Sequence, residues 1–420
     1  MKRIRAVTAL GIHLLLPVVT FAQTNQGTLH GFSTDALARV DSALERYVAD
    51  EKIAGAVVLA LLDGKIAYER AAGWADRDSG RRMETGAIFR IASQTKAVTS
   101  VAIMMLVEEG KIALDDPVGS YIPSFEKTTV AVKSDTGRVI APAKRPITIS
   151  DLLTHTAGIS YGRGELVSPL YEARGLGPAA GLGWYTADKN EPVCETIGRL
   201  GTLPFVAQPG EQFVYGYNTD ILGCVVERVS GLSLDEFFRS KITVPLGMHD
   251  TYFFLPPAKR NRLATVYASG WDGRIRRAPE GSRGQGHYVD GPRRNFSGGA
   301  GLVSTAMDYA RFLQMLLNGG ELDGVRILSP KTVELMTTNQ VGTIYNAEGL
   351  GFGLGFETVD RPGASGPFPK GTFGWGGAYG SRYSADPRER LVLVLMIQLM
   401  PNDTDVRDTI PELIYRALAP

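Results

Sequence analysis

The 420-residue chain reads as an α/β protein: one antiparallel sheet built from both ends of the sequence, flanked by N- and C-terminal helices, with an inserted mainly helical lobe. Three observations predict this. Strand-length apolar runs lie at 57–62 and again at 391–397. Apolar residues recur at helical spacing near both ends of the chain. Between about 115 and 296, strand signals thin out and short helical pieces alternate with stretches rich in Gly, Pro and Arg. The expected boundaries are a sheet domain over 27–115 plus 297–420 and an inserted helical domain with long loops over 116–296.

The first 22 residues stand outside this fold. Lys2, Arg3 and Arg5 form a basic leader, an apolar run follows from about Ala6 to Phe21, and Thr20-Phe21-Ala22 places small residues where a signal peptidase reads. The run is short and broken by His13 and Pro17, which weighs against a membrane anchor. The expectation is a signal peptide over 1–22 and export to a bacterial periplasm or beyond, with no stable membrane insertion after cleavage. Ser33 then caps a helix on which Leu37, Val40, Leu44 and Val48 recur. Residues 57–62 and 66–72 read as strands joined by the hairpin signal Asp63-Gly64. A strongly apolar helix runs over 93–109 and stops at Gly110. Helical pieces at 149–153, 219–229 and 234–242 populate the lobe. Ser304 opens a helix to Leu317, and another begins near Ser329. Strands are expected at 352–358, 371–375, 380–385 and 391–397, and a helix carrying Val406, Ile410, Leu413 and Ala417 closes the chain.

Apolar residues make up 44% and charged residues 21%, which suits a chain with a packed core and excludes a disordered one. A net charge of +1 provides no global field for nucleic acid or an anionic membrane. The two cysteines are Cys194 and Cys224. An oxidising compartment would permit a bridge. Cys224, however, sits in the apolar run from Ile221 to Val226 and is read as a small packed hydrophobe. No Cys or His cluster has metal-ligand spacing, and no cofactor or metal is implied.

The chemistry candidate is Ser93-Gln94-Thr95-Lys96. A Ser hydroxyl is a poor nucleophile without a neighbouring base. On a helix, a Lys three residues on shares its face and reaches its oxygen. Free N–H groups at the start of the helix favour negative charge on the attacking oxygen and on an oxyanion. The bland alternative is that Ser93 only caps the helix. Ser124-Phe125-Glu126-Lys127 has the same spacing but follows Pro123 in a loop and heads no long helix. Gly158-Ile159-Ser160-Tyr161-Gly162 matches a nucleophile elbow, yet it lacks the strand before and the helix after that an elbow needs. The candidate bases for a Ser160 triad are His30, His155, His249 and His287, and none stands in a fitting context.

Three stretches in order resemble the class C β-lactamase-like serine hydrolases, a group that includes class C β-lactamases, D-Ala-D-Ala carboxypeptidases and family VIII carboxylesterases. Phe89-Arg90-Ile91-Ala92-Ser93-Gln94-Thr95-Lys96 looks like the nucleophile segment. Pro209-Gly210-Glu211-Gln212-Phe213-Val214-Tyr215 looks like the second motif, ending in its tyrosine. Phe373-Gly374-Trp375-Gly376-Gly377-Ala378 looks like the third, on a strand. Asp151 to Gly158 and Gly299 to Thr305 also look familial. The resemblance implies the serine β-lactamase/D-Ala carboxypeptidase-like fold. It implies Ser93 as nucleophile, Lys96 and Tyr215 as general base and acid, and backbone N–H groups of Ser93 and Ala378 as the oxyanion hole. Free amines and phenols titrate near ~10, so either base must be depressed, and mutual proximity supplies part of that. Ser93 Oγ, Lys96 Nζ and Tyr215 OH are expected within about 3–4 Å of one another. Gly376 and Gly377 would let substrate approach the strand closely.

Two departures point to the substrate. β-Lactamases and many D-Ala peptidases open the third motif with Lys or His, which helps bind a substrate carboxylate. Here it is Trp375, which offers an apolar wall, and a contact worth about 1.5–3 kcal/mol is missing. The Asn usual two residues after the Tyr is replaced by Tyr217, followed by Asn218. Tyr217, Trp375, Gly376 and Gly377 are therefore the substrate-side candidates, and Arg283, Arg293 and Arg294 could add positive charge. Both departures resemble family VIII esterases. The expected partner is a small-molecule ester or amide. The leading expectation is ester hydrolysis through an acyl-enzyme. The rivals are a β-lactamase, a D-Ala-D-Ala-type peptidase or D-aminopeptidase, an acyltransferase, and a non-turning-over binder that stays acylated.

Overall fold

The computed structural model describes residues 28–418 except 30, 136, 177–188, 282–283 and 346, so the leader over 1–22, His30 and Arg283 lie outside the described residues. Helix α1 (Thr34–Ala49) starts where Ser33 Oγ accepts the Ala36 N–H. Strands β1 (Gly55–Leu62) and β2 (Lys65–Asp76) turn on Asp63 and Gly64, both at positive φ (51° and 75°), before the short β3 (Arg81–Arg82). Helix α2 (Thr95–Glu108) leads into the central lobe, which holds α3 (Ile149–Leu153), α4 (Val193–Leu200) and α5 (Asn218–Ser230). Helix α6 (Ala306–Leu317) returns the chain to the sheet. There β4 (Leu350–Phe352), β5 (Glu357–Val359), β6 (Phe373–Gly376), β7 (Arg382–Asp386) and β8 (Leu391–Ile397) follow, and α7 (Val406–Ala417) closes the chain.

The main sheet is antiparallel with strand order β4-β5-β6-β7-β8-β1-β2-β3. Its two halves join where β8 pairs with β1, from Leu391 opposite Leu62 to Ile397 opposite Ala56. These two strands are buried on both faces, which is why they read as unbroken apolar runs. Val57, Leu59, Val392, Val394 and Met396 pack toward α2 and α6. Ala56, Val58, Leu393 and Leu395 pack toward α1 and α7. Eleven residues of α2 are buried, Thr95 to Met104 and Leu106, because it lies between the sheet and the lobe. The expected architecture, helices at both ends over a sheet from both ends, is the one observed. No helix among the described residues is long and apolar enough to cross a membrane.

Several local expectations differ. The lobe contains a hairpin, Thr129–Ser134 against Gly137–Pro142, with Pro204–Phe205 alongside. Val132, Val139 and Ile140 on it are exposed, so no buried alternation marks it in the sequence. The strand expected over 352–358 is a hairpin, with Leu350 opposite Val359. It turns through Gly353 and Gly355, the latter at φ 101°. The helix expected over 93–109 begins at Thr95, after a 3-10 turn Ala92–Gln94. Cys194 and Cys224 correct the reading of an unbridged pair: they form a disulfide between α4 and α5. Cys224 is also fully buried, so the packed and bridged states coexist at one residue.

Candidate active site

Phe89–Arg90 pairs with Val303–Ser304, and this short ladder delivers the chain to Ile91 and Ala92. Ala92 adopts φ 47°, a left-handed conformation that costs a non-glycine residue energy and presents Ser93 at the start of the 3-10 turn. No side-chain capping bond is made at the start of this turn or of α2, so the capping role for Ser93 does not apply. Lys96 follows one turn on and is only 2% exposed. Its Nζ donates to Ser93 Oγ (3.5 Å), Tyr161 OH (2.9 Å) and the Gly299 carbonyl (2.6 Å). These three acceptors match the three donors of an ammonium.

Gly299 is held from behind. Its N–H donates to Asp220 Oδ1 (3.1 Å), and Ser297 Oγ donates to the same oxygen (2.5 Å). A Cβ on Gly299 would lie 2.5 Å from Asp220 Oδ2, and one on Gly298 would lie 2.5 Å from the Thr219 carbonyl. The Gly-Gly pair is therefore what lets this loop thread between α2 and α5. Asp220 is fully buried, and its carboxyl is pushed up by burial, against the opposing pull of the Lys96 charge and its two hydrogen bonds.

Tyr215 stands on a segment pinned by the Val214 N–H donating to the His155 carbonyl (2.7 Å). Gly216 approaches Ile159 so closely that a Cβ would lie 2.1 Å from its carbonyl oxygen. The Tyr215 ring lies 4.8 Å from Lys96 Nζ, 5.7 Å from the Tyr161 ring and 5.5 Å from the Trp375 ring. Its hydroxyl accepts from Trp375 Nε1 at 3.1 Å. The expected three-way contact is thus only partly formed. Ser93 and Lys96 meet, but among the described residues the Tyr215 hydroxyl bonds to neither and instead accepts from the Trp375 indole.

The third stretch closes the site. The Gly377 N–H donates to the Ser381 carbonyl (2.8 Å), and a Cβ on Gly377 would lie 2.7 Å from the Ile91 carbonyl. Its glycine is thus required for β6 to sit against the Ser93 turn, a different reason from substrate approach. Ala378 is exposed, and its N–H has no partner among the described residues. Ser93, Tyr215, Trp375, Gly376, Gly377 and Ala378 line one cleft of about 460 Å³. Ser93 therefore opens to the outside although it is only 8% exposed.

Other candidates are placed elsewhere. Tyr217, expected beside substrate, is fully buried, donates to the Leu176 carbonyl (2.6 Å) and packs edge-on against Tyr161 at 5.1 Å. It supports Tyr161 from behind. Arg293 donates to the Leu255 and Val289 carbonyls and Arg294 to the Asn190 carbonyl, so neither lines the cleft. Ser160 donates to the Arg163 carbonyl (3.0 Å) and, among the described residues, makes no hydrogen bond to an imidazole. Ser124 belongs to a short 3-10 turn, Pro123–Phe125, as the loop reading requires. His155 is buried and held far below its ordinary value by that burial and then by the Lys96 charge. Its Nδ1 lies 2.8 Å from the Asn218 amide. Sequence reasoning missed Tyr161 and Asp220. Asn218, Thr219 and Asp220, three polar residues opening an otherwise apolar helix, were the available signal for the second.

Residues 40–416 match the family described as Beta-lactamase. The chain is 37% identical over 373 residues to protein Rv1367c of Mycobacterium tuberculosis, covering 83% of this chain and 87% of that one. It is 32% identical over 387 residues to esterase EstB of Burkholderia gladioli, covering 87% and 92%. Its fold superposes on EstCE1, a hydrolase with promiscuous acyltransferase activity, with a TM-score of 0.76 at 28% identity over 92% of this chain and 99% of that one. Further relatives include a lovastatin esterase, an acyltransferase and putative D-alanyl-D-alanine carboxypeptidases.

Proposed function

The chain belongs to the beta-lactamase family, and from that premise we propose that it is an exported serine hydrolase that cleaves carboxylic esters through an acyl-enzyme on Ser93. The observation that carries the reading is Lys96 Nζ, placed 3.5 Å from Ser93 Oγ at the foot of a cleft that Trp375 walls. Ser93 Oγ attacks the ester carbonyl carbon. Its proton passes to the Lys96–Tyr215 pair, which accepts it in the form one proton short of ammonium plus phenol, and on to the departing alcohol. The carbonyl oxygen becomes an oxyanion between the N–H groups of Ser93 and Ala378. Water then attacks the acyl-enzyme, the same pair takes its proton and returns it to the departing Ser93 Oγ, and the acid leaves.

Trp375 favours esters over β-lactams and D-Ala peptides, since no Lys or His stands at that position to hold a carboxylate. Its indole N–H also fixes the Tyr215 hydroxyl, which a Lys there would do less rigidly. Acyl transfer to an alcohol is a second outcome of the same acyl-enzyme, and the likeness to EstCE1 favours it. Export rests on the basic and apolar leader, and the Cys194–Cys224 bridge suits an oxidising compartment.

The test is a panel of p-nitrophenyl acetate and butyrate, nitrocefin and a D-Ala-D-Ala peptide, with Ser93→Ala as control. The esters should turn over fastest, and Ser93→Ala should abolish turnover. Wild-type rates in Ser93→Ala would end the reading. Nitrocefin turning over faster than the esters would move the chain to the β-lactamases. A single burst without turnover would make it a binder that stays acylated.

A further inference from the structure

The cleft that begins at Ser93 does not end at Trp375. It continues past Gly376 to Glu357, Phe368, Arg382 and Arg407. It does so because β5 pairs with β6 only as far as Gly374, which leaves the β6 edge open at Trp375 and Gly376. At this far end the cleft is lined by Arg382, Arg407 and one carboxylate, Glu357.

The three charges differ in what engages them. Glu357 accepts from the Tyr345 hydroxyl. Arg382, whose side chain is 17% exposed, pairs with the exposed Asp408 (3.1 Å), donates to Ser365 Oγ (2.9 Å) and lies over the Phe368 ring at 4.9 Å. It is a pinned cation. Arg407 is half-buried, and its side chain makes no hydrogen bond and no ion pair among the described residues. Its Nη1 would lie 3.8 Å from a Cβ on Gly376, so the bare backbone of the third motif forms the floor beneath it. A guanidinium drawn partly out of water without a partner is costly, and an anionic ligand relieves that cost.

We propose that this end of the cleft seats a carboxylate on the substrate, with Arg407 as its main partner and Arg382 beside it. The preferred substrates are then esters that carry a carboxylate several bonds from the scissile carbonyl. The inference rests on the hydrolase reading and deepens it. This positive charge stands on the C-terminal helix α7 and the neighbouring strand β7, at the far end of the cleft, and does not replace the Lys or His missing at Trp375. The carboxylate can belong to the acyl or to the alcohol part.

The experiment measures kcat/KM for two ester pairs in wild type, Arg407→Gln and Arg407→Lys. One pair is p-nitrophenyl hydrogen adipate and its neutral methyl ester. The other is the butyrate ester of 4-hydroxybutyrate and its neutral methyl ester. In at least one pair, the wild type should prefer the anionic member about tenfold or more, the size of one charge-assisted contact. Arg407→Gln should lower that ratio about tenfold, chiefly through KM, and Arg407→Lys should keep part of it. The pair that responds identifies which side carries the charge. Calorimetric titration of adipate into Ser93→Ala, with and without Arg407→Gln, reads the anion seat without turnover. If both pairs show ratios near one, or if Arg407→Gln leaves them unchanged, the anion seat is wrong while the hydrolase stands. If adipate binds through Arg407 but no ester is turned over, the seat stands and the hydrolase reading falls.

Discussion

Lys96 Nζ donates to the Tyr161 hydroxyl across 2.9 Å, a shorter contact than the 3.5 Å it makes to Ser93 Oγ. Tyr161 thereby fixes the position of the amine beside Ser93. Removing its oxygen leaves one of three N–H donors of Lys96 unmatched in a nearly dry site, at a cost of about 1.5–3 kcal/mol. Tyr161→Phe should therefore lower kcat for p-nitrophenyl butyrate about 10- to 100-fold, with a fall in thermal midpoint of a few degrees at most. Ser160→Ala, one residue away, should stay near wild type. Equal losses in both would mean that the loop matters only as a whole.

Tyr161 also shows where legibility in the sequence stops. Strands β1 and β8, helix α1 and helix α7 declare themselves by period and by run length, because burial on one or two faces writes those patterns directly. Ser93 and Lys96 are legible because helix geometry ties them together locally. Tyr161 and Asp220 meet Lys96 only through loop threading, which Gly216 and Gly299 permit by the absence of a Cβ. Gly158-Ile159-Ser160-Tyr161-Gly162 draws attention to its serine, yet its contribution to the site is the tyrosine. Arg407 is silent in the sequence for the same reason: a helix residue becomes part of a cleft only once β6 ends beside it.

Gly377 tests the close approach of the third motif to the Ser93 turn. A Cβ there meets the Ile91 carbonyl at 2.7 Å, and neither side yields easily. The Gly377 N–H is tied to Ser381, and the Ile91 N–H is tied to Leu302. Gly377→Ala should displace Ala378 from the proposed oxyanion position and lower kcat/KM at least about 100-fold, with a stability loss of about 1–3 kcal/mol. At Gly376 the nearest backbone atom is 3.2 Å away, so Gly376→Ala should cost much less. Kinetics and urea unfolding of both variants check the order. A milder effect at Gly377 than at Gly376 would contradict the packing argument.

The disulfide tests a different level of the structure. Cys194 and Cys224 are 30 residues apart in sequence and join α4 to α5. In the chain-entropy account, a loop of this length stabilises the fold by about 3–4 kcal/mol. Replacing both by Ala should lower the urea midpoint of the oxidised protein by that equivalent while leaving kcat within about threefold, since neither cysteine lines the cleft. Reduction of wild type should reproduce the shift. A wild type that is insensitive to reduction would show that the bridge is not formed or contributes nothing.

The remaining prediction concerns pH. His155 is buried against the Tyr215 ring, centroids 4.7 Å apart, and burial together with the Lys96 charge holds it well below the ordinary imidazole value. In the unfolded chain it titrates near ~6.5. Between the two values the unfolded state binds a proton that the folded state refuses, so stability falls as pH drops below about 6.5, by up to about 1.4 kcal/mol per pH unit. Above that pH the term is absent. Asp220, pushed up by burial, acts with the opposite sign: its contribution is lost as pH rises above the ordinary carboxylate value. Comparing wild type with His155→Gln removes that background, because Asp220 is common to both. Urea unfolding at pH 7.5 and 5.5 should show a steeper loss in wild type than in the variant, whatever the variant costs at pH 7.5. Parallel loss in the two proteins would mean that His155 accepts its proton in the folded state, and that the packing around Tyr215 is looser than the geometry requires.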